Sequence, residues 1–299
     1  KCFSQLIVPK ISDSLAKQDS FRWNFVKYIN RMSIITLISD LGLKDHYVSL
    51  VKARLLNANP TCIPVDVSHV VGTSQVDHAA FLLRSIWNEF PFGTVHLNGV
   101  DSYLEKGTNH LIVEFQNRYV VTADNGLIPM AFPRIDRSEM KLYVIDLPDT
   151  DSTQFPMSGI MSEAAARISR GDSFEGWTKP IDNFINDIKG LEPYYNGTQL
   201  LVQVFYIDHY GNLYFNITKD EFDFYCKGRS FAMQLKANTT ISKFHNSFGD
   251  VNLGKEVAIW GQNNLLIATM NLDQGGEKAG NLSRLMKLNL GDTITIDFH

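Results

Sequence analysis

The sequence predicts an α/β N-terminal domain with a mostly parallel sheet flanked by helices, followed by a smaller C-terminal antiparallel β-barrel. Strand-like and helix-like patterns alternate between residues 33 and 190, which favours a parallel sheet with helices on both faces. Between residues 191 and 299, short strand-like runs follow one another with turn residues between them. A length of 299 residues also exceeds that of a typical single core. Residues 1–32 are assigned to an N-terminal extension.

The elements of the first domain follow from the spacing of apolar residues. Short β-branched runs predict strands, and apolar residues spaced by three or four predict helices. The predicted strands are Ile34–Ser39, Ile63–Val67, Gly93–Val100 and Lys141–Asp146, with a hairpin within His110–Val121; the predicted helices are Tyr47–Ala58, Val76–Glu89 and Ser158–Ser169, the last closed by Gly171. In the extension, Ser20–Asn30 has the spacing of a short amphipathic helix.

The second domain is read in the same way. Its predicted strands are Gln199–Ile207, Leu213–Ile217, Ser230–Leu235, Glu256–Trp260, Leu265–Met270 and Thr293–Phe298, with one helix around Lys219–Lys227. The junction between the domains is placed in Leu191–Gly197, which contains Pro, Asn and Gly.

Composition narrows the class of protein. A hydrophobic content of 44%, a net charge of −4 and a pI near 6.1 describe a globular protein without the basic surface of a nucleic-acid binder. Cys2, Cys62 and Cys226 are far apart and follow no CxxC pattern, which favours reduced thiols in the cytoplasm over disulfides or zinc. No apolar stretch approaches the ~20 residues of a membrane helix. Neither nucleic acid nor membrane is an expected partner.

Four polar strings follow apolar runs in a fixed order: Ile35-Thr-Leu-Ile-Ser-Asp-Leu-Gly42, Val65-Asp-Val-Ser-His69, Ala123-Asp-Asn-Gly126 and Tyr206-Ile-Asp-His-Tyr-Gly-Asn-Leu213. An open α/β sheet exposes such strand ends to a ligand. Asp40 can accept both hydroxyl hydrogens of a ribose there, or it can cap the next helix. The spacing of Asp66 and His69 could suit a metal, but no further ligand lies nearby in sequence, so no metal is expected.

The two later strings each allow two interpretations. Asn125-Gly126 is a turn dipeptide, with an architectural role or a ligand contact as alternatives. Asp208, Tyr210 and Asn212 could pair an ammonium group, stack on adenine and hydrogen-bond its edge, or they could form a β-turn closing a hairpin. The dinucleotide, P-loop, nucleophile-elbow and HExxH motifs do not occur.

Together, the four strings resemble the SAM hydroxide adenosyltransferase family, the relatives of fluorinase and chlorinase, from about Ser33 to the C-terminus. The resemblance implies cleavage of S-adenosylmethionine (SAM) at the ribose C5′ carbon, with SAM as substrate and no cofactor. It also implies a homotrimer whose site lies between the first domain of one subunit and the second domain of its neighbour. The residues assigned to substrate binding are Asp40, Asp45, Asp101, Phe155, Asp208, Tyr210, Asn212, Gln262 and Asn263.

The resemblance assigns catalysis to Asp66, which in the family belongs to a triad that positions water. The other members are an Arg seven residues later and a His in a later loop, and here those positions hold Thr73 and Pro156. Hydrolysis of SAM to adenosine and methionine is therefore the first expectation, and a SAM- or adenosine-binding protein with weakened catalysis is the alternative. Halogenase relatives carry a long insertion before the Asn-Gly turn, and Val113–Asp124 leaves no room for it. Water is thus the expected nucleophile.

Overall fold

The computed structural model describes residues 33–103, 109–148, 155–188, 192–236, 239–272 and 281–299. The extension of residues 1–32, including the helix predicted at Ser20–Asn30, lies outside the described residues, as does Cys2. Cys62 and Cys226 are buried free thiols.

The first sheet has seven strands in the order β2-β1-β3-β5-β4-β6-β7. They are β1 (Ile34–Ile38), β2 (Ile63–Ser68), β3 (Val95–Asn98), β4 (His110–Phe115), β5 (Arg118–Ala123), β6 (Lys141–Ile145) and β7 (Thr178–Ile181). Strands β2, β1, β3 and β5 pair in parallel, whereas β4, β6 and β7 join antiparallel. The prediction of a mostly parallel sheet therefore holds for the first four strands in this order, and the remaining three alternate in direction.

The alternation begins at the β4–β5 hairpin. Gln116 and Asn117 are the two residues between the strands, and both have positive φ, 47° and 56°. A two-residue turn with both φ values positive matches the right-handed twist of the strands it joins. The hairpin predicted within this stretch is therefore confirmed, and it contains no insertion.

Helices cover both faces of the first sheet. They are α1 (Tyr47–Ala58), α2 (Val76–Ile86), α3 (Leu127–Ala131) and α4 (Ile160–Arg170). Helices α1 and α4 pack together over one face, where Val51 and Leu55 join the core of β1 and β3, and α2 and α3 pack together over the other. Gly171, with a φ of 78°, ends α4 as predicted. Helix α2 is shorter than predicted and ends at Ile86.

The second sheet has nine strands: β8 (Tyr194–Tyr195), β9 (Gln199–Ile207), β10 (Leu213–Thr218), β11 (Phe231–Gln234), β12 (Thr240–Ile241), β13 (Phe244–His245), β14 (Glu256–Trp260), β15 (Leu265–Met270) and β16 (Thr293–Phe298). Its order is β12-β11-β16-β9-β10-β15-β14-β13, with β8 beside β9. All pairs are antiparallel except β13–β14. Strand β12 approaches β14, so the sheet curls around one core and is nearly closed, like a barrel. Helix α5 (Lys219–Cys226) was predicted, and the five-residue α6 (Leu282–Met286) was not.

Helix α2 joins the two sheets. Its Phe81 ring lies 5.3 Å from Phe205, 4.4 Å from Tyr206 and 5.2 Å from Tyr214, centroid to centroid. His78, one turn earlier, stands 4.8 Å from Tyr206. This aromatic contact places the barrel beside the face of the first sheet that α2 covers. The domain boundaries at residues 32 and 190 stay a prediction. No helix in the described ranges is long and apolar enough to span a bilayer.

Candidate functional site

The strand order creates a switch point at the carboxyl ends of β1 and β3, where open α/β sheets form a crevice. The chain runs from β1 outward to β2, then back across β1 to β3, so the connections leave β1 and β3 in opposite directions. Ligands of open α/β sheets bind at such a switch point, outside the carboxyl ends of the strands. Asp40 follows β1 and Asp101 follows β3, so the two acids flank the switch point.

The half-buried Asp40 is the meeting point of three loops. Its Oδ2 accepts hydrogen bonds from the backbone N–H of Ser74 at 3.3 Å and of Asp101 at 3.4 Å. The hydroxyl of Ser74 donates to Asp101 Oδ1 at 2.9 Å. Ser74 and Asp101 both have positive φ, 57° and 48°, which turns their amides toward the acid. Within the described residues no donor engages Asp40 Oδ1, so half of the carboxylate is available to a ligand.

The Asp-Asn-Gly turn holds the loop that carries Asp101. The Asn125 side-chain amide donates to the carbonyls of Val100 at 3.0 Å and Asp101 at 3.2 Å. Asp124 is buried and accepts from the backbone N–H of Ile185 at 2.8 Å. Both side chains are occupied by protein groups, and these contacts support the architectural interpretation of this turn.

The loop of Phe155 lies against the same crevice. A Cβ added at Gly99 would lie 2.1 Å from Met157 Sδ, so the chain between β3 and Asp101 packs directly on this loop. The Phe155 ring meets Tyr47, the first residue of α1, edge to face at 5.5 Å. Pro156 is buried, and its carbonyl accepts from Met161 N–H at 3.1 Å at the start of α4. Pro156 carries no side-chain donor, so it cannot replace a histidine.

Asp66 is held by a lysine and a histidine. Lys52 Nζ lies 2.6 Å from Asp66 Oδ2, and His69 Nε2 lies 3.0 Å from Asp66 Oδ1. His69 Nδ1 in turn lies 2.7 Å from the hydroxyl of Ser39, the neighbour of Asp40 in sequence. Burial raises the pKa of Asp66, but the hydrogen bonds and charges of His69 and Lys52 together outweigh it and hold the pKa below 3.8. Asp66 is therefore ionised at neutral pH. Thr73 is exposed.

Asp45 and its surroundings face solvent. Asp45 is exposed and forms no hydrogen bond or ion pair with the described residues. Two large apolar side chains near Asp40 in sequence or space are also exposed, Leu43 at 72% and Val70 at 66%. Exposed apolar side chains beside a polar crevice are typical of a surface that another molecule covers.

The second acidic string forms a closed turn between β9 and β10. Asp208 Oδ1 accepts from the N–H groups of Tyr210 and Asn212, each at 2.9 Å, and Oδ2 accepts from Asn212 Nδ2 at 2.7 Å. Asn212 Oδ1 accepts from the Thr269 hydroxyl. Gly211 has a φ of 77°, and a Cβ there would lie 2.2 Å from Asn281. Hydrogen bonds within and beside the turn engage the side chains of Asp208 and Asn212, whereas Tyr210 is 76% exposed.

The remaining assigned residues lie elsewhere. Gln262 and Asn263 belong to a turn, residues 262–264, that packs against α2. Asn263 has a φ of 58°, and among the described residues its buried Nδ2 has no acceptor. Within the described part of the chain, no hydrogen bond, ion pair or ring contact joins this turn, or the Asp208 turn, to Asp40.

Sequence reasoning missed the residues that support the crevice. Ser74 and Lys52 have no motif of their own, and only the folded chain brings them to Asp40 and Asp66. Ser39 lies in the first polar string, but its contact with His69 could not be read from the sequence. In the part of the chain that the structure describes, no three His, Cys, Asp or Glu side chains come together as a group that could hold a metal.

The fold and the crevice define a class: a two-sheet protein with an acid-lined switch point in its α/β sheet and a barrel-like sheet following it. Residues 35–178 match the SAM hydroxide adenosyltransferase N-terminal domain, and residues 202–295 match the C-terminal domain of that name. The chain therefore belongs to the SAM hydroxide adenosyltransferase family, which confirms the resemblance.

Two named relatives and one solved structure are similar to this chain. The chain is 25% identical over 203 residues to an (R)-S-adenosyl-L-methionine hydrolase of Methanocaldococcus jannaschii, covering 64% of this chain and 70% of that protein. It is 34% identical over 102 residues to a protein of the same name from Thermus thermophilus, covering 34% of this chain and 39% of that one. An uncharacterized conserved protein from Thermotoga maritima shares the fold with a TM-score of 0.76 and 23% identity, covering 88% of this chain and 99% of its own.

Proposed function

We propose that the protein hydrolyses S-adenosyl-L-methionine to adenosine and methionine by attack of water at the ribose C5′ carbon. Membership of the family and the name of its relatives support SAM as the substrate. The observation that carries the proposal is Asp40 at the switch point: loop amides fix one carboxylate oxygen, and no described residue donates to the other, which we assign to the ribose hydroxyls.

The reaction requires few catalytic groups from the protein. The water oxygen forms a bond to C5′, the C5′–S bond breaks, and its electron pair stays on sulfur, which converts the sulfonium into the neutral thioether of methionine. The new 5′-oxygen loses its extra proton to a carboxylate or to solvent. Because the leaving group departs neutral, no general acid is needed, and catalysis consists of aligning water with C5′ and excluding other water.

Asp66 is proposed to orient the attacking water. Its low pKa makes it a hydrogen-bond acceptor rather than a strong base, and the Ser39–His69 pair fixes its position relative to Asp40. Lys52 supplies the cation beside Asp66. A Lys ammonium does not reproduce the bidentate fork of an Arg, so weaker positioning of the acid is expected.

The complete site is proposed to require a second copy of the chain in a homotrimer. Asp40 and the Asp208 turn have no contact within the described part of one chain, and both Tyr210 and the apolar residues near Asp40 are exposed. Docking of the barrel of one subunit on the crevice of the next would bring Tyr210 toward the adenine. Light scattering of the purified protein tests this arrangement, and a monomer that hydrolyses SAM at full rate would contradict it.

Incubation with SAM in water enriched in oxygen-18 tests the reaction itself. We expect adenosine carrying one heavy oxygen at the 5′ position, together with unlabelled methionine. Adenine as the first product would contradict attack at C5′, and a 5′-halo nucleoside formed in chloride or fluoride would show a halide nucleophile.

A second function, binding of SAM or adenosine without turnover, is favoured by one observation. The positions expected to hold the Arg and His of the triad hold the exposed Thr73 and the buried Pro156. Saturable binding of adenosine in titration calorimetry, with adenosine formation no faster than in a buffer control, would establish this function.

A further inference from the structure

A second cleft lies between helix α2 and the barrel-like sheet. Its volume is about 300 Å³, the lower end of the range for small-molecule sites. Phe81 of α2, Phe205 of β9 and Leu265 of β15 line it and form an apolar wall, with the Phe81 and Phe205 rings in edge-to-face contact. None of the residues that hold Asp40 lines this cleft, so it is separate from the switch point.

Arg84 lines the cleft, and no described residue accepts a hydrogen bond from it. It is half-buried, and within the described residues its guanidinium has no carboxylate, carbonyl or amide oxygen as acceptor. Burial, and to a smaller degree the charge of Arg134, lowers its pKa. The other buried or half-buried arginines of the described chain all donate to an acceptor; they are Arg118, Arg137, Arg167 and Arg229. Arg84 is thus an exception, and a desolvated cation without an acceptor is costly.

The two ends of the cleft differ in charge. Arg134, the second cation of the lining, already pairs with Glu221. Asp77 also lines the cleft and lies seven residues before Arg84 on the same helix, ~10 Å away along its axis. An anion is therefore attracted to the Arg84 end and repelled from the Asp77 end.

We propose that this cleft binds a small organic carboxylate with an apolar body, the carboxylate on Arg84 and the body against the apolar wall formed by Phe81, Phe205 and Leu265. The planar guanidinium matches a carboxylate with two parallel hydrogen bonds. A phosphate dianion shares that chemistry but suits this cleft less, because Asp77, Glu192 and Glu221 also line it. The site is independent of SAM hydrolysis.

The test uses the full chain and the probe 3-phenylpropionate, with binding followed by titration calorimetry. The variant Arg84→Gln removes the charge, Arg84→Lys keeps the charge without the fork, and Arg54→Gln is a matched control on an exposed arginine of α1. Phenyl phosphate and uncharged 3-phenylpropanol are the comparison ligands. Thermal unfolding of each variant shows whether it is folded.

We expect saturable binding of 3-phenylpropionate at millimolar concentration and a loss of about ten- to hundredfold in Arg84→Gln, the value of a charged hydrogen-bonded pair. Arg84→Lys should lose less, Arg54→Gln should bind like the parent, and 3-phenylpropanol should bind more weakly. The proposal is overturned if 3-phenylpropionate does not bind, if Arg84→Gln binds it unchanged, if phenyl phosphate binds more tightly, or if adenosine displaces the probe competitively.

Discussion

The crevice of the first sheet and the turn between β9 and β10 differ in how many hydrogen bonds their carboxylates accept from the chain itself. Asp40 accepts two long backbone hydrogen bonds on one oxygen and none from the described residues on the other, whereas both oxygens of Asp208 are engaged within a five-residue turn. The first region can exchange its partners with a ligand at little cost. The second is a turn held by its own hydrogen bonds, and its exposed part is Tyr210. Among the described residues, the same residue type thus retains an acceptor oxygen in one place and is saturated in the other.

The largest effect is expected from Asp40→Asn. Loss of the charge weakens the hydrogen bonds to the ribose hydroxyls, and kcat/KM for SAM should fall about a hundredfold, or ~3 kcal/mol. The unfolding free energy should change little, because the internal hydrogen bonds of Asp40 are long. Asp223→Asn, which removes an exposed carboxylate of α5, is the control. Unaltered SAM binding in Asp40→Asn would show that the ribose does not lie at the switch point.

Asp208→Ala should act mainly on stability. The carboxylate accepts three hydrogen bonds within its turn, and their loss should lower the free energy of unfolding by about 2–3 kcal/mol. Asp208→Asn retains an acceptor oxygen and should lose less. Urea unfolding monitored by circular dichroism measures both variants. If Asp208→Ala kept full stability and lost only SAM affinity, the acid would be a ligand group and the contrast between the two regions would be wrong.

Tyr210→Ala should act on activity without acting on stability. The ring is 76% exposed and contacts only His209 among the described rings, so the unfolding free energy should stay within ~0.5 kcal/mol. If the ring stacks on the ligand in a neighbouring subunit, KM for SAM should rise about tenfold, and Tyr210→Phe should retain the parent value. Phe224→Ala, at an aromatic residue 69% exposed on α5, serves as the control. Equal KM values for Tyr210→Ala and the parent would remove this turn from the site.

The smallest effect is expected from Lys52→Met, and it is measured as a change in the pKa of Asp66. Hydrogen bonding and attraction by Lys52 help to hold the pKa of Asp66 below 3.8, so the substitution should raise it. A carboxylate with a lowered folded-state pKa stabilises the fold above its unfolded-state pKa, and this contribution disappears as the pH falls through the folded-state value. The variant should therefore lose less stability on acidification below about pH 4. A carbon-13 NMR titration of Asp66 measures the shift, with Lys219→Met, the partner of Asp223, as control.

Much of the fold could be predicted because its signals are local. The bounds of α1, β9, β14, β15 and β16 were predicted to the residue, since apolar periodicity reports which side chains face a core. The antiparallel β4–β5 hairpin was predicted, but the antiparallel pairing of β6 with β4 and β7 was missed because pairing direction depends on how distant segments meet. Helix α6 was missed because five residues give too short a periodic pattern. The family could be recognised from four strings of residues, each contiguous in sequence.

The sequence by itself determined the family, the alternation of strands and helices, and the position of acids directly after strands, because these depend on neighbouring residues. Only the tertiary structure decided which acids keep a free oxygen. Asp40 and Asp208 both follow strands, yet the partners that distinguish them come from distant loops in one case and from within the turn in the other. The partners of Asp40 are neighbours only in three dimensions, so no spacing along the chain predicts how many hydrogen bonds this acid accepts.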